Sequence, residues 1–580
     1  MSSPIRTSRR LSVLSALVLL VVGAFMVRLV DIQVVRAAEL SEEAEARRTV
    51  DQVVWAERGE ILDRAGNVLA ENVDRYDVTV SPRHVADFRR DGATVTVVQA
   101  LTDISAVTGA TLETMLASVQ EDPESDFGYL VKGITTEQYR AVDAMDIPWV
   151  YFERHQNRFY PFGAVTGTLT GMLGRDGPLE GVEVKWDECL AGVNGVARYE
   201  KGLDGVRIPG TTQTETPPED GGTVHLTIDS DLQWYVLQQM AKQAEVLQAE
   251  AASAMVVEVS TGEVLAVADW PTFDPNNFEN TPQEHLRASS FTAAYEPGST
   301  IKSVTIAALI DAGLTTPTEA LVAPGILELG GGDYIKNAGG VGTRNLTTAG
   351  VLSLSANTGT AELSKRLTPQ QIHDYFRAFG FGEETAVHFL GEQSGYLPDP
   401  DTVDGITRLT QSFGQGMSAT NAQVAAAYQV LANGGVKLPL RLVNGCEGVD
   451  GEWTELPVEE PVRVVSEEAA DQVVAILETV PVTGTLANRV TVPGYRIAVK
   501  TGTAEVAEQG QYGANRVISL AGMVPAEDPQ YVIVVSFVKP QTIRFSSGAA
   551  PAFQAIAEHV LKHYRVPPSS EAAQLYPLRW

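Results

Sequence analysis

The first pattern along the chain is a long apolar run close to its start. Residues 11–27 carry no charge, and Leu29 and Val30 extend the apolar run if the charged end of Arg28 reaches the membrane surface. A helix of these 17 residues is about 26 Å long, which is close to the thickness of a bilayer core. Because arginines precede the run, we expect residues 1–10 in the cytoplasm, a membrane anchor over 11–30 and the rest outside. The alternative is a cleaved signal peptide, but no Ala-x-Ala site follows closely.

The segment after the anchor is mostly polar. Residues 31–55 are charged, and their Glu-rich part predicts an exposed helical stalk. Ile61 and Leu62, a turn at Ala-Gly-Asn, and then Val68 and Leu69 predict a hairpin. Residues 83–148 are polar with acidic stretches and are expected to be exposed.

The boundary between two domains is predicted at residues 211–223. This stretch is polar, carries two prolines and two glycines, and has little to bury. We therefore expect one domain over 56–210, a second over 224–566 and a tail over 567–580.

The second domain alternates between strand and helix patterns. Strands are expected at 224–229, 253–259, 263–268, 496–500, 517–521 and 531–537, and helices at 232–247 and from about 552 to 564. Strands at both ends with helices between them predict an α+β fold. In this fold an antiparallel sheet is covered by helices, and its first and last elements meet.

Composition limits the functions open to the chain. It has 580 residues, 44% of them hydrophobic, and a net charge of -30. This charge argues against a nucleic-acid partner, which would need a basic face. Cys189 and Cys446 offer no disulfide framework and no metal-ligand spacing, so we expect two unpaired, buried thiols. His559 and His563 have zinc-ligand spacing, but a third ligand is not evident and a solvated helix face is the favoured interpretation.

Candidate chemistry begins at Ser299 and Lys302. Pro297 and Gly298 break the chain, and the apolar run after them predicts a buried helix. Ser299 would lie at the N-terminus of this helix, with Lys302 one turn further on the same face. A lysine in an apolar site can be neutral and can take the proton of a serine hydroxyl. Alone, this spacing also fits a capping serine and a surface lysine.

Two later stretches favour the catalytic interpretation. Ser355 and Asn357 form a Ser-x-Asn motif, and Lys500, Thr501 and Gly502 form a Lys-Thr-Gly motif. Ser-x-x-Lys, Ser-x-Asn and Lys-Thr-Gly in this order are the active-site set of penicillin-binding proteins and serine β-lactamases. The chain resembles the penicillin-binding proteins. This resemblance implies their transpeptidase fold, with no cofactor and no metal.

The N-terminal half resembles the non-catalytic domain of class B penicillin-binding proteins. Three stretches carry this resemblance, namely 58–70, 158–174 and 181–195, with the last ending near Asp204 and Gly205. It implies an elongated N-terminal α/β pedestal with a projecting subdomain. Its arginines and acidic residues are expected to form a structural ion-pair framework, because buried charges need partners.

The resemblance also implies roles for the motif residues. Ser299 would attack the carbonyl between the two terminal D-alanines of a peptidoglycan stem peptide, with Lys302 as its base. Ser355 would relay a proton to the leaving amine, and Asn357 would hold Lys302 and the substrate backbone.

The third motif would bind the substrate. Lys500 would attract its terminal carboxylate, with the Thr501 and Thr503 hydroxyls as donors. Gly502 would leave an edge strand bare for pairing with an extended peptide. The backbone N–H groups of Ser299 and Thr503 would form the oxyanion hole.

Three features are the short basic N-terminus, residues 74–77 after the first stretch and the tail over residues 566–580. In these features the chain looks, within class B, most like the septal, FtsI-type cell-division enzyme of actinobacteria. The resemblance implies β-lactams as covalent inhibitors, and as partners a membrane glycosyltransferase of the SEDS type and other divisome proteins. An elongation-type transpeptidase is the nearest competing interpretation. A β-lactamase would need a second base, and no Glu-x-x-Leu-Asn stretch supplies one. The remaining candidates are a β-lactam sensor and a largely non-catalytic divisome scaffold.

Overall fold

The computed structural model describes residues 4–174, 176–202, 208, 210–457, 459–508 and 511–580. Asp204 and Gly205, at the end of the third N-terminal stretch, lie outside the described residues. The chain divides into two compact units, one of Met1–Glu57 with Gly192–Gly221 and one of Arg58–Ala191 with Gly222–Trp580. The domain limits expected from the sequence remain a prediction.

The strands are β1 (Thr49–Val54), β2 (Ile61–Leu62), β3 (Val68–Val80), β4 (Phe88–Arg90), β5 (Ala93–Val95), β6 (Gly128–Thr135), β7 (Val150–Phe159), β8 (Leu173–Gly174), β9 (Gly177–Pro178), β10 (Gly195–Glu200), β11 (Gln213–Thr216), β12 (Thr223–Leu226), β13 (Ala251–Glu258), β14 (Val264–Trp270), β15 (Ala320–Ala323), β16 (Ile326–Gly330), β17 (Asp333–Lys336), β18 (Arg344–Thr347), β19 (Val436–Lys437), β20 (Val443–Glu447), β21 (Trp453–Glu455), β22 (Val462–Arg463), β23 (Ala498–Glu508), β24 (Gln511–Val524) and β25 (Tyr531–Val538).

The α-helices are α1 (Pro4–Val30), α2 (Ala37–Arg48), α3 (Val97–Thr108), α4 (Leu112–Gln120), α5 (Thr136–Asp143), α6 (Gly167–Thr170), α7 (Gly181–Lys185), α8 (Asp187–Leu190), α9 (Ser230–Leu247), α10 (Ser289–Thr292), α11 (Lys302–Asp311), α12 (Thr348–Ser353), α13 (Asn357–Ser364), α14 (Pro369–Ala378), α15 (Gly405–Gln411), α16 (Asn421–Ala432), α17 (Glu467–Val482) and α18 (Ala550–His563).

The first unit contains the predicted anchor and stalk helices. Helical structure over Arg9–Val35 is long and apolar enough to cross a membrane, and none of it is buried. Helix α2 follows, and its described side chains are not buried either. The unit also holds a three-stranded sheet of order β1-β10-β11. Strand β11 lies inside the stretch predicted as a linker. Its four polar residues, Gln213–Thr216, are all exposed, and their backbone pairs with β10 at the edge of the sheet without burying a side chain.

The second unit has a seven-stranded sheet of order β21-β20-β12-β2-β3-β6, with β7 also on β3. The predicted hairpin is present as β2 and β3, with Ile61 opposite Ala70. Strand β12 pairs with β2, with Val224 beside Ile61. The strand expected at the start of the second domain thus lies in the sheet of the preceding segment, since alternation predicts a strand but not its partner.

The stretch 83–148, expected to be exposed, has a hydrophobic core of its own. Helices α3, α4 and α5 carry buried side chains that include Leu101, Ile104 and Met115. Trp149 is 2% exposed and donates its indole N–H to the Ala86 carbonyl. The outer faces of these helices are polar, so the overall composition of the stretch is polar although the inner faces form a core.

A five-stranded antiparallel sheet of order β14-β13-β25-β24-β23 forms the centre of the second unit. Alternate residues of β13 pack in two different cores, so helices cover both faces. Helices α9 and α18 share one face, and α11, α16 and α17 the other. The first and last helices of this layer meet, as predicted, and β23 is an edge strand.

The histidine pair on α18 contacts α9 and is not a fully solvated face. His563 Nε2 lies 2.8 Å from Asp229 Oδ2, and the His559 ring stacks on Tyr235. Helical spacing places the two histidines on one face but does not tell what covers that face. Among the described residues, no group of His, Cys, Asp and Glu could hold a metal ion.

The two cysteines form a disulfide, so the prediction of unpaired thiols was wrong. Cys189, at α8, is bonded to Cys446 on β20, at a sequence separation of 257. Gly222 N–H donates to the Cys189 carbonyl at 2.8 Å, and the next strand, β12, places Val224 opposite Cys446. The pairing of β12 with β20 brings the two thiols together. The spacing of the cysteines along the sequence does not predict this pairing.

The predicted ion-pair framework of the N-terminal stretches is confirmed. Glu183 is fully buried, and its carboxylate accepts from Arg58 Nε and Arg158 Nε, each at 2.7 Å. Arg58 also binds Asp187 at 2.5 Å. Each of the three stretches with class B character thus contributes to one buried network.

Candidate active site

Ser299 lies in a 3-10 turn, Gly298–Ile301, directly ahead of α11. The turn is held from two sides. Gly298 donates its N–H to the Gly414 carbonyl at 3.1 Å, and a Cβ at Gly298 would come within 3.1 Å of the Thr503 carbonyl oxygen. Gly298 has a φ of 57°, which favours glycine. Ser299 is therefore fixed at the junction of α11 and strand β23 while remaining partly exposed.

Lys302 is the first residue of α11 and is fully buried. Its Nζ donates to the Ser355 carbonyl at 2.8 Å and to Asn357 Oδ1 at 2.6 Å, and it lies 3.2 Å from Ser355 Oγ. Burial, and secondly the charge of Lys500, lower the pKa of Lys302 well below its usual range. A neutral amine has two N–H groups and one lone pair, so Lys302 can accept a proton.

Ser355 joins the first and third motifs. Its Oγ lies 3.2 Å from Lys302 Nζ and 3.1 Å from Lys500 Nζ. The residue follows α12 and has a φ of 55°, in the left-handed region that non-glycine residues seldom adopt. Such a conformation costs about 1–3 kcal/mol. This backbone turn separates α12 from α13 and places Asn357 beside Lys302.

Lys500 is also fully buried, on edge strand β23. Its Nζ donates to Thr501 Oγ1 at 3.2 Å as well as to Ser355 Oγ. Burial lowers the pKa of Lys500 to about 7. Thr501 is buried and Thr503 is exposed. Among the described residues, no carboxylate lies within ion-pair distance of Lys302 or Lys500, so both amines are held by neutral oxygens.

Gly502 is buried under the turn that carries Ser299. A Cβ at this position would overlap the Ser519 hydroxyl and come within 3.1 Å of both the Pro297 carbonyl oxygen and Thr300 Cγ2. The sequence argument assigned the bare glycine to substrate binding. In the structure it lets the nucleophile's turn lie against the sheet, and pairing of a peptide along β23 stays a prediction.

Glu296 was missed by the sequence argument, although it lies three residues before Ser299. Its Oε1 accepts from Gly416 N–H at 2.9 Å and from the Tyr512 hydroxyl at 2.7 Å. Tyr512 belongs to β24, so Glu296 ties the Ser299 stretch to the β23–β24 hairpin and to the Gly414–Gly416 loop. The loop thereby contacts the Ser299 stretch at two points, since Gly298 also donates its N–H to the Gly414 carbonyl. Its position just ahead of the first motif was the sequence signal that could have found Glu296.

The eight residues expected in the site come from three separate parts of the chain. The structure joins four of them by hydrogen bonds, namely Lys302, Ser355, Asn357 and Lys500. Gly502 packs against the turn that carries Ser299. Thr501 contacts Lys500, and Thr503 carries the carbonyl group beside Gly298.

Comparisons with known proteins agree with this arrangement. Residues 252–561 match the penicillin-binding protein transpeptidase domain, and residues 53–178 match the penicillin-binding protein dimerisation domain. Penicillin-binding protein PbpB of Mycolicibacterium smegmatis is 34% identical, over 97% of this chain and 90% of that protein. Peptidoglycan D,D-transpeptidase FtsI of Escherichia coli is 30% identical, over 97% of this chain and 93% of that protein.

A solved structure of similar fold is that of penicillin-binding protein 3 from Mycobacterium tuberculosis complexed with aztreonam. It has a TM-score of 0.70 and 29% identity, and the match covers 91% of this chain and 100% of that one. Both family domains match, and relatives of 34% and 30% identity are covered almost end to end. The chain therefore belongs to the class B penicillin-binding proteins.

Proposed function

We propose that the chain is a membrane-anchored serine D,D-transpeptidase that cross-links peptidoglycan stem peptides through an acyl-enzyme on Ser299. The observation that carries the proposal is the Ser355 hydroxyl, which lies within hydrogen-bond reach of two fully buried lysine amines. Lysines without acidic partners are costly to bury. Acid–base chemistry at the partly exposed Ser299 gives a reason to keep two such lysines in the site.

The acylation step uses the three motifs together. Ser299 Oγ attacks the carbonyl of the penultimate D-alanine, and its proton passes to neutral Lys302. The backbone N–H groups of Ser299 and Thr503 stabilise the tetrahedral oxyanion, and each such donor is typically worth about 3 kcal/mol. As the peptide C–N bond breaks, the Ser355 hydroxyl passes a proton from Lys302 to the leaving amine. Terminal D-alanine departs and Ser299 carries the acyl group.

The second step reverses the proton movements. An amine of a neighbouring stem peptide attacks the acyl-enzyme carbonyl and gives a proton to Lys302, and Ser299 Oγ leaves and recovers a proton. A new peptide bond forms and the free enzyme returns, so no cofactor is consumed.

Lys500 binds the carboxylate of the terminal D-alanine in this scheme. Its pKa of about 7 in the free site leaves the amine partly charged at neutral pH. An incoming carboxylate favours the ammonium form and raises this pKa. Thr501 and Thr503 add hydroxyl donors, and the edge of β23 pairs with the extended peptide.

β-Lactams act on the same residues. Attack of Ser299 on the lactam carbonyl opens the ring. The amine leaving group remains covalently attached to the acyl group, so it stays in the site and blocks the acceptor amine. The expected product is a stable acyl-enzyme. The M. tuberculosis structure is of a complex with aztreonam, a β-lactam, which supports this proposal for the present chain.

The proposed topology places residues 1–10 inside the cell, residues 11–30 of helix α1 in the membrane and everything after residue 30 outside. The Cys189–Cys446 disulfide supports this, because such bonds form and persist in oxidising compartments outside the cytoplasm. The domain limits are proposed as predicted from the sequence.

The septal role is proposed from the similarity to FtsI of E. coli and PbpB of M. smegmatis. A SEDS-type glycosyltransferase and other divisome proteins are the corresponding partners. An elongation role is the nearest competing interpretation.

The test is intact-mass analysis of the full chain in detergent after incubation with a penicillin, with peptide mapping of the adduct. We expect one stable adduct on Ser299 and none in Ser299→Ala. Ser303→Ala is the matched control, because its hydroxyl contacts Tyr428 and lies one turn further along α11. Rapid turnover of penicillin would instead indicate a β-lactamase. A folded chain that forms no adduct would favour the non-catalytic scaffold role.

A further inference from the structure

Residues 566–580, the final segment, return to the transpeptidase sheet after α18. Ser569 is fixed first, since its N–H donates to the Gly494 carbonyl at 2.9 Å and its hydroxyl accepts from Arg496 N–H at 2.8 Å. Further along, Tyr576 and Leu578 are partly buried and pack against the main hydrophobic core. The segment is thus attached at both ends, with more exposed residues between them.

The last five residues bind the start of α12. Thr347 N–H donates to the Leu578 carbonyl at 3.2 Å, and the Thr347 hydroxyl donates to the Pro577 carbonyl at 2.6 Å. Gly350 lies so close that a Cβ there would overlap the Leu578 carbonyl oxygen. Trp580 adds a bond from Nε1 to the Leu321 carbonyl at 3.1 Å, on the strand beside β18.

Thr347 connects the final segment to the helix. It is the N-cap of α12, and its Oγ1 accepts from Gly350 N–H at 2.9 Å. A threonine hydroxyl has a single proton. Because the Pro577 carbonyl takes that proton, the lone pairs of Oγ1 are directed to the helix. The residue is 2% exposed, so the final segment also shields this cap from water.

Helix α12 ends at the second motif. All six of its residues are buried. Ser355 N–H donates to the Leu352 carbonyl at 3.2 Å, and Ala356 N–H to the Val351 carbonyl at 2.9 Å. A shift of so short a helix therefore moves Ser355, whose oxygens hold Lys302 and Lys500.

We propose that residues 576–580 position the second motif for acyl transfer, by fixing the N-terminus of α12 so that Ser355 stays within reach of both lysines. They are positioning residues and touch no reacting atom. The inference rests on the proposed function and extends it to a segment outside the three motifs.

The test compares the full chain with a chain ended after Leu575, both in detergent. Acylation by a chromogenic penicillin gives two constants, the dissociation constant of the initial complex and the acylation rate at saturation. We expect the rate to fall about ten- to hundredfold, as a small misplacement of catalytic groups does, with the dissociation constant within about twofold. Gln574→Ala, an exposed change in the same segment, should leave both constants unchanged.

A second variant separates positioning from general loss of stability. Gly350→Ala, whose added Cβ strikes the Leu578 carbonyl, should slow acylation in the full chain. It should have little further effect in the chain ended after Leu575, where that carbonyl is gone. Thr347→Val should reproduce the slower rate, and Thr347→Ser, which keeps the hydroxyl, should restore it.

Two results would overturn the inference, namely an unchanged acylation rate in the shortened chain, or effects of shortening and Gly350→Ala that multiply as independent changes do. Failure of the proposed function looks different, because the full chain itself would then form no adduct on Ser299.

Discussion

Lys302 combines full burial with three oxygen acceptors around its amine. We expect Lys302→Ala to slow acylation by penicillin by more than about 10³-fold, since the proton of Ser299 then has no base. The dissociation constant of the initial complex should change little, and circular dichroism should show a folded chain. Lys365→Ala, at an exposed ion pair with Glu362, is the control. Wild-type acylation by Lys302→Ala would refute the assignment of the base.

Lys500 makes stability depend on pH. Its pKa is about 7 in the folded chain and about 10.4 in the unfolded one. Between these two pH values the unfolded chain binds more protons than the folded chain. The contribution of Lys500 to the free energy of unfolding therefore rises with pH, by at most about 1.4 kcal/mol per pH unit. Below pH 7 the Lys500 amine is charged in both the folded and the unfolded chain, so the cost of burying its charge no longer changes with pH.

The measurement is the urea midpoint at pH 7, 8 and 9 for wild type and Lys500→Met. Lys500→Met should gain less stability over this range than wild type, because it lacks the titrating amine. Parallel pH profiles for the two proteins would show that Lys500 is not perturbed as described.

At the level of elements, strand β23 and the 3-10 turn of Ser299 meet at Gly502. We expect Gly502→Ala to slow acylation at least about tenfold, because its Cβ displaces the turn and misaligns the nucleophile. Pairing it with Ser519→Ala, which removes the overlapping hydroxyl, should recover part of the rate. Stopped-flow acylation of the two single variants and the double variant gives the answer. No recovery would mean that contact with Pro297 dominates.

The sequence predicted most of these elements and the residues of the site. An uncharged apolar run located the helix predicted as the anchor, and apolar pairs around a turn located the hairpin of β2 and β3. Alternation located strands of the central sheet, and motif order selected Ser299, Lys302, Ser355, Asn357 and Lys500. Each of these signals lies within a short stretch of sequence, so it can be recognised without knowing the fold.

Partnerships between distant segments could not be predicted in the same way. The pairing of β12 with β2, the Glu296–Tyr512 hydrogen bond and the seat of the final segment on α12 each depend on the folded path of the chain. Pairing partners leave no periodic trace in either strand, and a polar stretch such as 83–148 can hide a small core.

At the level of the whole molecule, the disulfide links two stretches separated by 257 residues. Closing a loop of this length is expected to stabilise the folded chain by about 2–5 kcal/mol. We expect the double variant Cys189→Ser with Cys446→Ser to melt several degrees below wild type, with penicillin acylation retained at low temperature. Thiol titration of the unfolded, unreduced wild type should find no free thiol. Equal melting temperatures would show that the link adds no stability.

The length of that loop has a consequence for how the protein is made. In the proposed topology the chain is exported from its N-terminus onward, so Cys189 reaches the outside long before Cys446. Throughout that interval Cys189 is a lone thiol, open to exchange with any oxidant or neighbouring chain. The native bond therefore forms only if Cys189 is still reduced when Cys446 arrives, or if a mixed disulfide at Cys189 is exchanged by the Cys446 thiol or by an isomerase.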